Sequence, residues 1–469
     1  MDKQEFKPSL SLIDASMIVA GSMIGSGIFI VSADIVRQVG SAGWLIAIWL
    51  ITGVLTLAAA LSYGELSAMY PKAGGQYVYL KESWNKLVGF LYGWSLFTVI
   101  QTGTIAAVGV AFAKFAGYFF PIFEMSEANL ITQIGIFKIY NAQLLSIGII
   151  VFLTWVNSRG VEGGKMIQTF FTVAKLAALL GLIVLGLSMG FNADVWQANW
   201  QNAWSMKHLM EGNIYEKVTG IAALGFIAAA MVGSVFSSDA WNNITFIAGE
   251  VKNPQRNIGL SLFIGTGIVT LLYILTNIMY LGVLPLNDIA NAANDRVGVA
   301  AAEKIFGTSG TYIIAALIMV STFGCINGMI LSGARVYYTM AKDKLFFSQV
   351  DQLNKKQVPS IALWIQCIWT SVLCLSGKYG DLLDYVVFAV LIFYILTMLG
   401  IFKLRVTQPD LPRSYKAFGY PFLPALYIVL ATILCVALLI YKPNYTWPGL
   451  IIVLAGIPVY YLIPKSKEA

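Results

Sequence analysis

Long apolar runs recur along almost the whole chain and constrain its fold more than any other feature. A helix needs about 18 to 20 apolar residues to cross a bilayer. Lipid offers no hydrogen-bond partners, so each such run must satisfy its backbone internally, as a helix does. With 58% hydrophobic and 11% charged residues, against about 25% charged in soluble domains, the sequence predicts an all-α membrane protein with twelve transmembrane helices. The predicted spans are approximately residues 11–37, 43–69, 86–114, 141–158, 164–190, 217–247, 258–284, 308–340, 359–376, 384–404, 421–441 and 446–463.

A motif rich in glycine and serine interrupts two of these runs at matching positions. It is Gly21-Ser-Met-Ile-Gly-Ser-Gly-Ile-Phe29 in span 1 and Gly233-Ser-Val-Phe-Ser-Ser-Asp-Ala-Trp241 in span 6. These residues weaken a helix and so free backbone groups at membrane depth, where a partner other than lipid must bind them. Such paired interruptions indicate a transporter site near the membrane midplane. The alternative is that the small residues only let helices pack closely.

The spacing of the two motifs predicts an inverted repeat. They begin at Gly21 and Gly233, which aligns spans 1–5 with spans 6–10. Five is an odd number, so the two halves enter the bilayer with opposite orientation. We therefore expect a first half at residues 1–216, a second half at residues 217–416, and spans 11 and 12 at residues 417–469.

Lysine and arginine are distributed unequally between the two sides of the predicted bilayer. Of the 30 Lys and Arg residues, 20 fall in the tails and loops on the side of the N-terminus, 9 on the other side, and Lys175 inside a span. The positive-inside rule then predicts a plasma (inner) membrane protein with both termini in the cytoplasm. The bias also accounts for the formal charge of +7, so we expect membrane lipid and a small solute as partners and no nucleic acid.

The sequence patterns typical of enzymes and metal sites are missing. The single histidine and four cysteines form no ligand motif, so we expect neither a metal nor a cofactor. No Walker A, nucleophile-elbow or HExxH pattern occurs. We therefore expect a transporter and not an enzyme. A channel is the remaining alternative, and it would give flux that scales with concentration instead of saturating.

The two interruptions predict opposite electrostatic environments. Gly25, Ser26 and Gly27 leave amide N–H groups at the start of a half-helix, whose partial positive charge suits a carboxylate. The second interruption frees carbonyl groups that suit an ammonium group. An α-amino acid carries both groups, so the sequence predicts an amino acid substrate. The residues assigned to the amine end are Met23, Ile24, Phe236, Ser237, Ser238 and Asp239.

Lys175 is a charged residue within predicted span 5. Burial of a charge there costs at least about 2.5 kcal/mol on insertion scales, so the side chain should have an interior partner. It could be a fixed cation in the place of a sodium ion, donating to carbonyls at the first interruption and to a hydroxyl such as that of Ser321. It could instead carry a proton in each cycle, or snorkel to the interface.

Three further charged residues are candidates for the site or for gates. Asp239 lies inside the second interruption and could meet the substrate amine, pair with Lys175, or cap the half-helix that follows. Glu65, near the inner end of span 2, is a candidate gate or packing partner. Arg335, near the inner end of span 8, could close the same side by ion pairing.

Several motifs, taken in this order, resemble the amino acid-polyamine-organocation superfamily, in particular its L-type amino acid transporter branch with the bacterial members. The motifs are Gly25-Ser-Gly-Ile-Phe29, Tyr63-Gly-Glu-Leu66, Pro71-Lys-Ala-Gly-Gly-Gln-Tyr77, Gly249-Glu-Val-Lys-Asn-Pro-Gln-Arg256, Ser321-Thr-Phe-Gly324 and Arg335-Val-Tyr-Tyr-Thr-Met-Ala-Lys-Asp343. The resemblance implies a LeuT-type fold of five plus five inverted helices, with helices 1 and 6 broken around the substrate.

The resemblance also assigns roles to individual residues. It implies that Ser26 and Gly27 contact the carboxylate. It implies that the carbonyls of Met23, Phe236 and Asp239 take the amine, and that Phe236 is an aromatic gate over the substrate.

In sodium-independent members of the family, a lysine at the position of Lys175 occupies the second sodium site, with Ser321 as its hydroxyl partner. We therefore expect a sodium-independent exchanger (antiporter) of neutral, small to medium L-amino acids that works by alternating access. The alternative is a proton-coupled symporter in which Lys175 titrates and which could also accept cationic amino acids.

The chain departs from the family pattern in two places. Asp239 stands where relatives usually have a small residue. Animal members are joined to a single-span heavy chain through a cysteine in the loop after span 3, and residues 115–140 contain no cysteine. We expect no disulfide-linked heavy chain.

Overall fold

The computed structural model describes residues 8–134, 137–210, 214–376 and 379–463. This part of the chain is mostly helical, as predicted. The helices are α1 Leu12–Met23, α2 Gly27–Val39, α3 Ala42–Met69, α4 Gln76–Ser83, α5 Lys86–Ser95, α6 Gln101–Phe119, α7 Asn141–Ser158, α8 Val161–Leu185, α9 Ala193–Trp200, α10 Ala222–Ser237, α11 Asn243–Phe246, α12 Pro254–Val283, α13 Leu286–Ala290, α14 Val297–Phe306, α15 Thr308–Lys342, α16 Ser360–Ser376, α17 Tyr379–Thr407, α18 Phe422–Tyr441 and α19 Pro443–Leu462. Two antiparallel hairpins lie in connecting segments, β1 Leu130–Ile134 with β2 Phe137–Tyr140, and β3 Lys207–Met210 with β4 Ile214–Lys217.

The helices have the lengths and compositions of membrane spans. Among the described residues, 8 helices are long and apolar enough to cross a bilayer, and α1 with α2 makes a further, bent span. Three shorter apolar helices lie at Ala222–Ser237, Ser360–Leu375 and Thr446–Leu462. The chain is therefore a multi-pass membrane protein. The number of twelve spans and the side on which the termini lie stay predictions.

The first interruption is a break between two helices. A capping box starts α1, because Ser11 Oγ accepts from the Asp14 N–H and Asp14 in turn accepts from the Ser11 N–H, which satisfies amide groups that a helix start leaves open. The helix ends at Met23, α2 begins at Gly27, and the two axes differ by 41°. The predicted break in span 1 is confirmed.

The second interruption also ends a helix. α10 stops at Ser237, and the next helix, α11, begins at Asn243 and has only 4 residues. Between them Ala240 has a φ of +63°, a conformation that costs a residue with a Cβ roughly 1–2 kcal/mol. Strained backbone of this kind concentrates at functional sites.

Two short segments that are far apart in the sequence are joined by main-chain hydrogen bonds. The segment before α1 pairs in parallel with the segment after α11, through a bridge of Leu10 and Val251. The N–H groups of Ser9 and Leu10 donate to the Glu250 carbonyl at 2.8 and 2.9 Å, and the Lys252 N–H donates to the Leu10 carbonyl at 2.8 Å.

Candidate functional site

The two breaks lie against each other in the centre of the molecule. Gly27, the first residue of α2, is so close to Ser237 that a Cβ at position 27 would collide with the serine hydroxyl and Cβ. Only glycine, which has no side chain, permits this approach. Gly27 and Ser237, 210 positions apart in the sequence, thus form one site.

Tyr273 of α12 joins the two breaks through its hydroxyl. It lies within 3.0 Å of the Met23 carbonyl and 3.1 Å of the Ser237 carbonyl, and the residue is 1% exposed. A helix that ends in an apolar interior leaves carbonyl groups without partners. The single proton of this phenol is shared between the two carbonyls, so one hydroxyl links both helix ends.

Lys175 of α8 is fully inside the protein and holds the first break. Its Nζ donates to the carbonyls of Gly21 and Ile24, each at 2.7 Å, and only 1% of the residue is exposed, so it does not snorkel. Ser321 of α15 donates to the same Ile24 carbonyl at 3.1 Å. The lysine and the serine therefore meet on one acceptor, and three spans converge at the break.

This arrangement occupies several backbone groups that the sequence assigned to the substrate. A carbonyl oxygen has two lone pairs, and at Ile24 they are taken by Lys175 and Ser321. The Met23 carbonyl accepts from Tyr273 and from the Gly25 N–H, the latter at 2.9 Å. The carbonyls of Met23 and Ile24, predicted for the amine, and the Gly25 amide, predicted for the carboxylate, therefore make contacts within the protein, and their role towards a ligand stays a prediction.

The remaining predicted site residues lie at the start of α2 and at the end of α10. Ser26 is the N-cap residue of α2, but its side chain does not cap that helix. The Phe236 carbonyl accepts the Asp239 N–H at 3.1 Å, and the Ser237 hydroxyl donates to the Gly233 carbonyl at 2.7 Å. Phe236 is 7% exposed, and its role as an aromatic gate stays a prediction.

Asp239 faces α17 and not Lys175. Its carboxylate accepts from the Tyr394 hydroxyl at 2.6 Å. Tyr394 belongs to an aromatic cluster with Trp241 and Tyr63, whose ring centroids lie 5.3 and 5.9 Å from its own. Of the three roles that the sequence left open for Asp239, an ion pair with Lys175 is not formed among the described residues, where the carboxylate bonds to Tyr394 and the Lys175 ammonium to carbonyls of the first break. Contact of Asp239 with a substrate amine stays a prediction.

Two small cavities adjoin Asp239 and Tyr394. Cavity A extends between α6, α11, α15 and α17, and it is lined by the polar side chains of Gln101 and Asn243 among others. Cavity B lies towards α3 and α18, where Ser238 contributes to its wall. Each has room for about one water molecule. An amino acid therefore fits only after the surrounding helices move apart.

Cavity A contains an amide without a hydrogen-bond partner. Asn243 is 1% exposed, and its Nδ2 makes no hydrogen bond to any residue that the structure describes. The neighbouring Asn242 instead donates to Gln76 at 3.0 Å, and Gln76 donates to Thr397 at 3.1 Å. A buried donor without a partner costs about 1–3 kcal/mol, so Asn243 is suited to bind a group that enters the cavity.

Ion pairs cross the molecule on the side of the α1 N-terminus. Glu65 is fully buried and binds Arg405 through both carboxylate oxygens, at 2.6 and 3.0 Å, and Arg413 at 3.2 Å. Arg335, also fully buried, donates to Glu250 at 2.9 Å. The predicted positions of Glu65 and Arg335 near this end suit them to closure, and their gating role stays a prediction.

A second set of ion pairs crosses the opposite side. Asp295 lies 2.9 Å from Arg37 of α2 and 3.3 Å from Lys114 of α6. Partial burial alone would raise the pKa of Asp295, but Lys114 and Arg37 outweigh burial and hold that pKa below its usual value. Ion pairs thus link helices on both sides of the two breaks.

Sequence reasoning missed Tyr273, Tyr394 and Asn243. The available signal was a hydroxyl or amide inside an apolar run, since such a group needs a partner when it is buried. The chain has 23 tyrosines, however, and only the fold shows which of them reach the breaks.

We expect Tyr273→Phe to destabilise the protein by about 1–3 kcal/mol, because removal of the shared hydroxyl leaves a buried carbonyl without its donor. Thermal unfolding in detergent micelles measures the loss. Tyr280→Phe is the matched control, since its buried hydroxyl makes a single long bond of 3.3 Å to the Ile28 carbonyl. Equal losses in the two variants would show that Tyr273 does not bridge the breaks.

The low pKa of Asp295 predicts a defined pH dependence. A carboxylate whose pKa is lower in the folded state stabilises the protein above its unfolded pKa of about 3.9, and this contribution disappears as the pH falls through the folded pKa. Asp295→Asn should therefore lower the unfolding temperature at pH 7 and lose that difference progressively below about pH 4. Asp34→Asn is the control, because Asp34 lies 3.8 Å from the same Arg37 without contacting Lys114. A deficit that persists unchanged at pH 3 would contradict the assignment.

Comparison with known proteins places the chain in a family. The model of the family described as amino acid permease matches residues 10–463. The chain is 29% identical to the large neutral amino acids transporter small subunit 2 of Mus musculus over 97% of its length and 81% of that protein. It is 28% identical to the Asc-type amino acid transporter 1 of Mus musculus, over 98% and 82%. It is also 29% identical to the serine/threonine exchanger SteT of Bacillus subtilis (strain 168), over 99% and 98%. The family model extends over both breaks and over all the ion pairs described above, and the chain belongs to the amino acid permease family.

Proposed function

We propose that the chain is a sodium-independent exchanger of neutral, small to medium L-amino acids that works by alternating access. The two apposed breaks carry the proposal, because they concentrate backbone dipoles at membrane depth, where a zwitterion can replace lost hydrogen bonds. The relatives support the substrate class, since their names describe a large neutral amino acids transporter and a serine/threonine exchanger.

The proposal includes the predicted architecture. In this architecture the chain has twelve spans, with a first half at residues 1–216, an inverted second half at residues 217–416, and a final pair of spans at residues 417–469. The excess of Lys and Arg on the side of the N-terminus supports a plasma membrane protein with both termini in the cytoplasm. Helix ends at Met23 and Ser237, which occupy matching positions in the two halves, support this plan.

The substrate carboxylate is assigned to the start of α2. The first N–H groups of a helix point outwards without internal partners and favour an anion. The side chain of Ser26 leaves this helix start uncapped, so the amides of Ser26 and Gly27 are the proposed contacts. The substrate amine is assigned to the carbonyl groups of residues 236–239 and to the Asp239 carboxylate, and the substrate side chain to cavity A.

Lys175 supports independence from sodium. Its ammonium group, at 2.7 Å from two carbonyls and sharing the Ile24 oxygen with Ser321, fills the oxygen-lined space that a sodium ion would need. The positive charge is then a fixed part of the protein, and no cation has to be supplied by the solution.

Alternating access assigns a role to the two sets of ion pairs. The set around Glu65 and Arg335 closes one side, and the set around Asp295 closes the other. Exchange follows when each side opens only with the other closed and when the empty protein crosses between the two states slowly. A heavy chain and a cofactor have no part in the proposed mechanism.

Counter-flow tests this function. Purified protein in liposomes loaded with unlabelled serine should take up external labelled serine, with equal rates in sodium and in potassium buffers. Competition by the twenty L-amino acids should be strongest for neutral ones, and the D-enantiomers should compete weakly.

The controls decide between the remaining alternatives. Liposomes without internal amino acid should take up little label. Uptake that does not saturate would indicate a channel, competition led by arginine or lysine would assign Asp239 to a cationic substrate, and an absolute need for sodium would overturn the role of Lys175. A Ser26→Leu variant with the full rate would remove the proposed carboxylate contact.

A proton-coupled symporter is the second candidate, because within the described residues the Lys175 ammonium contacts carbonyls and no carboxylate. A buried cation without a counter-charge is the kind of group that can release a proton. A pH-sensitive dye inside the liposomes distinguishes the two functions. A fixed cation predicts no proton movement when substrate is added, whereas a symporter predicts acidification that is absent in Lys175→Met.

A further inference from the structure

A groove of about 790 Å³ opens at the surface where the second half of α3 meets the start of α12. Its floor is a close contact of two helices, in which a Cβ at Gly259 would lie 3.5 Å from the Cα of Gly64. The ring of Tyr415, from the segment between α17 and α18, packs against the other side of Gly64. The groove lies on the side of the molecule that carries the Glu65 ion pairs.

The groove has a polar end and an apolar end. Asn253, just before α12, and Arg256 of α12 line the polar end. Leu260 and Phe263 of the same helix and Phe418 line the rest. Phe263 is 51% exposed and Phe418 is 68% exposed. Along α12, from its N-terminal end towards its apolar middle, the groove is therefore lined first by the cation of Arg256 and then by the apolar side chains of Leu260 and Phe263.

The polar end has more positive charge than the protein itself neutralises. Arg256 and the flanking Lys252 and Lys416 are exposed, and within the described residues none of the three forms an ion pair. The nearby Arg405 and Arg413 differ, because both bind Glu65. Among the residues that the structure describes, no acidic side chain lines the groove.

We propose that this groove binds an anionic phospholipid, with its phosphate at Arg256 and an acyl chain along Phe263 and Phe418. Basic pockets between spans at the membrane surface attract anionic headgroups, and each basic residue near the surface contributes about a fivefold change in the binding constant. A free anion would leave the aromatic strip exposed, and a lipid without net negative charge would neutralise the cationic end only in part. Only a molecule with both parts satisfies the whole groove.

The bound lipid would stabilise closure of this side of the protein. The Ala417 N–H donates to Glu65 Oε2 at 2.7 Å, and Tyr415 packs on Gly64, next to Glu65. The segment that forms one wall of the groove therefore also holds the carboxylate that binds Arg405 and Arg413. A lipid that fixes residues 414–418 fixes the position of Glu65.

Native mass spectrometry of the purified full chain tests the site, with phosphatidylglycerol and phosphatidylcholine as probes at equal concentration. Phosphatidylglycerol should bind more tightly. Arg256→Gln should weaken its binding about fivefold, as expected for the loss of one basic contact, and Phe418→Ser should weaken it as well. The matched controls are Lys356→Gln, which removes an exposed lysine outside the groove, and Phe347→Ser, whose ring is 61% exposed and also lies outside it. Neither control should alter binding.

The other outcomes overturn the proposal. Equal binding of the two lipids, or unchanged binding in Arg256→Gln, would show that the charge does not select the ligand. Displacement of the lipid by glycerol phosphate at the same concentration would show that the apolar strip is not used. Thermal unfolding without added lipid checks that the variants are folded, and the binding measurement does not depend on whether the protein transports amino acids.

Discussion

The structure depends on how backbone carbonyl groups are satisfied where two helices stop inside an apolar interior. Lipid cannot serve them, and water has access only to small cavities. Lys175 supplies charge-assisted hydrogen bonds to Gly21 and Ile24, and Tyr273 supplies its hydroxyl to Met23 and Ser237. Charge-assisted bonds contribute about 1.5–3 kcal/mol each, which is enough to hold an interruption that helix propensity alone would not fix.

The need of these carbonyl groups for donors also explains why distant parts of the sequence share the site. Each break alone would have unsatisfied groups. Placed together, they are served by donors from α8, α12 and α15, so that movement of any of these helices alters the breaks. The ion pairs at the two ends are further from the centre, and in the proposed mechanism the helices that they join separate to let a solute pass. In that mechanism, opening at one end is linked to the geometry of the breaks.

The sequence predicted the parts that follow from composition and short motifs. The apolar runs predicted a multi-pass helical protein, and Gly25-Ser-Gly27 predicted the break in span 1, because helix propensity is local. The motif order also predicted the family. The partners of individual groups could not be predicted in the same way. Whether Asp239 meets Lys175 or Tyr394 depends on the relative rotation of helices that are far apart in the sequence, and no periodicity encodes it.

The short parallel pairing of residues 9–10 with residues 250–252 has a consequence for motion. Three main-chain hydrogen bonds join these segments, and Glu250 is in addition held by Arg335 of α15. Because these bonds all join the same two short segments, residues 9–10 and residues 250–252 are mechanically coupled. Any outward movement of the start of α1 would therefore have to carry residues 250–252 with it or break these three hydrogen bonds.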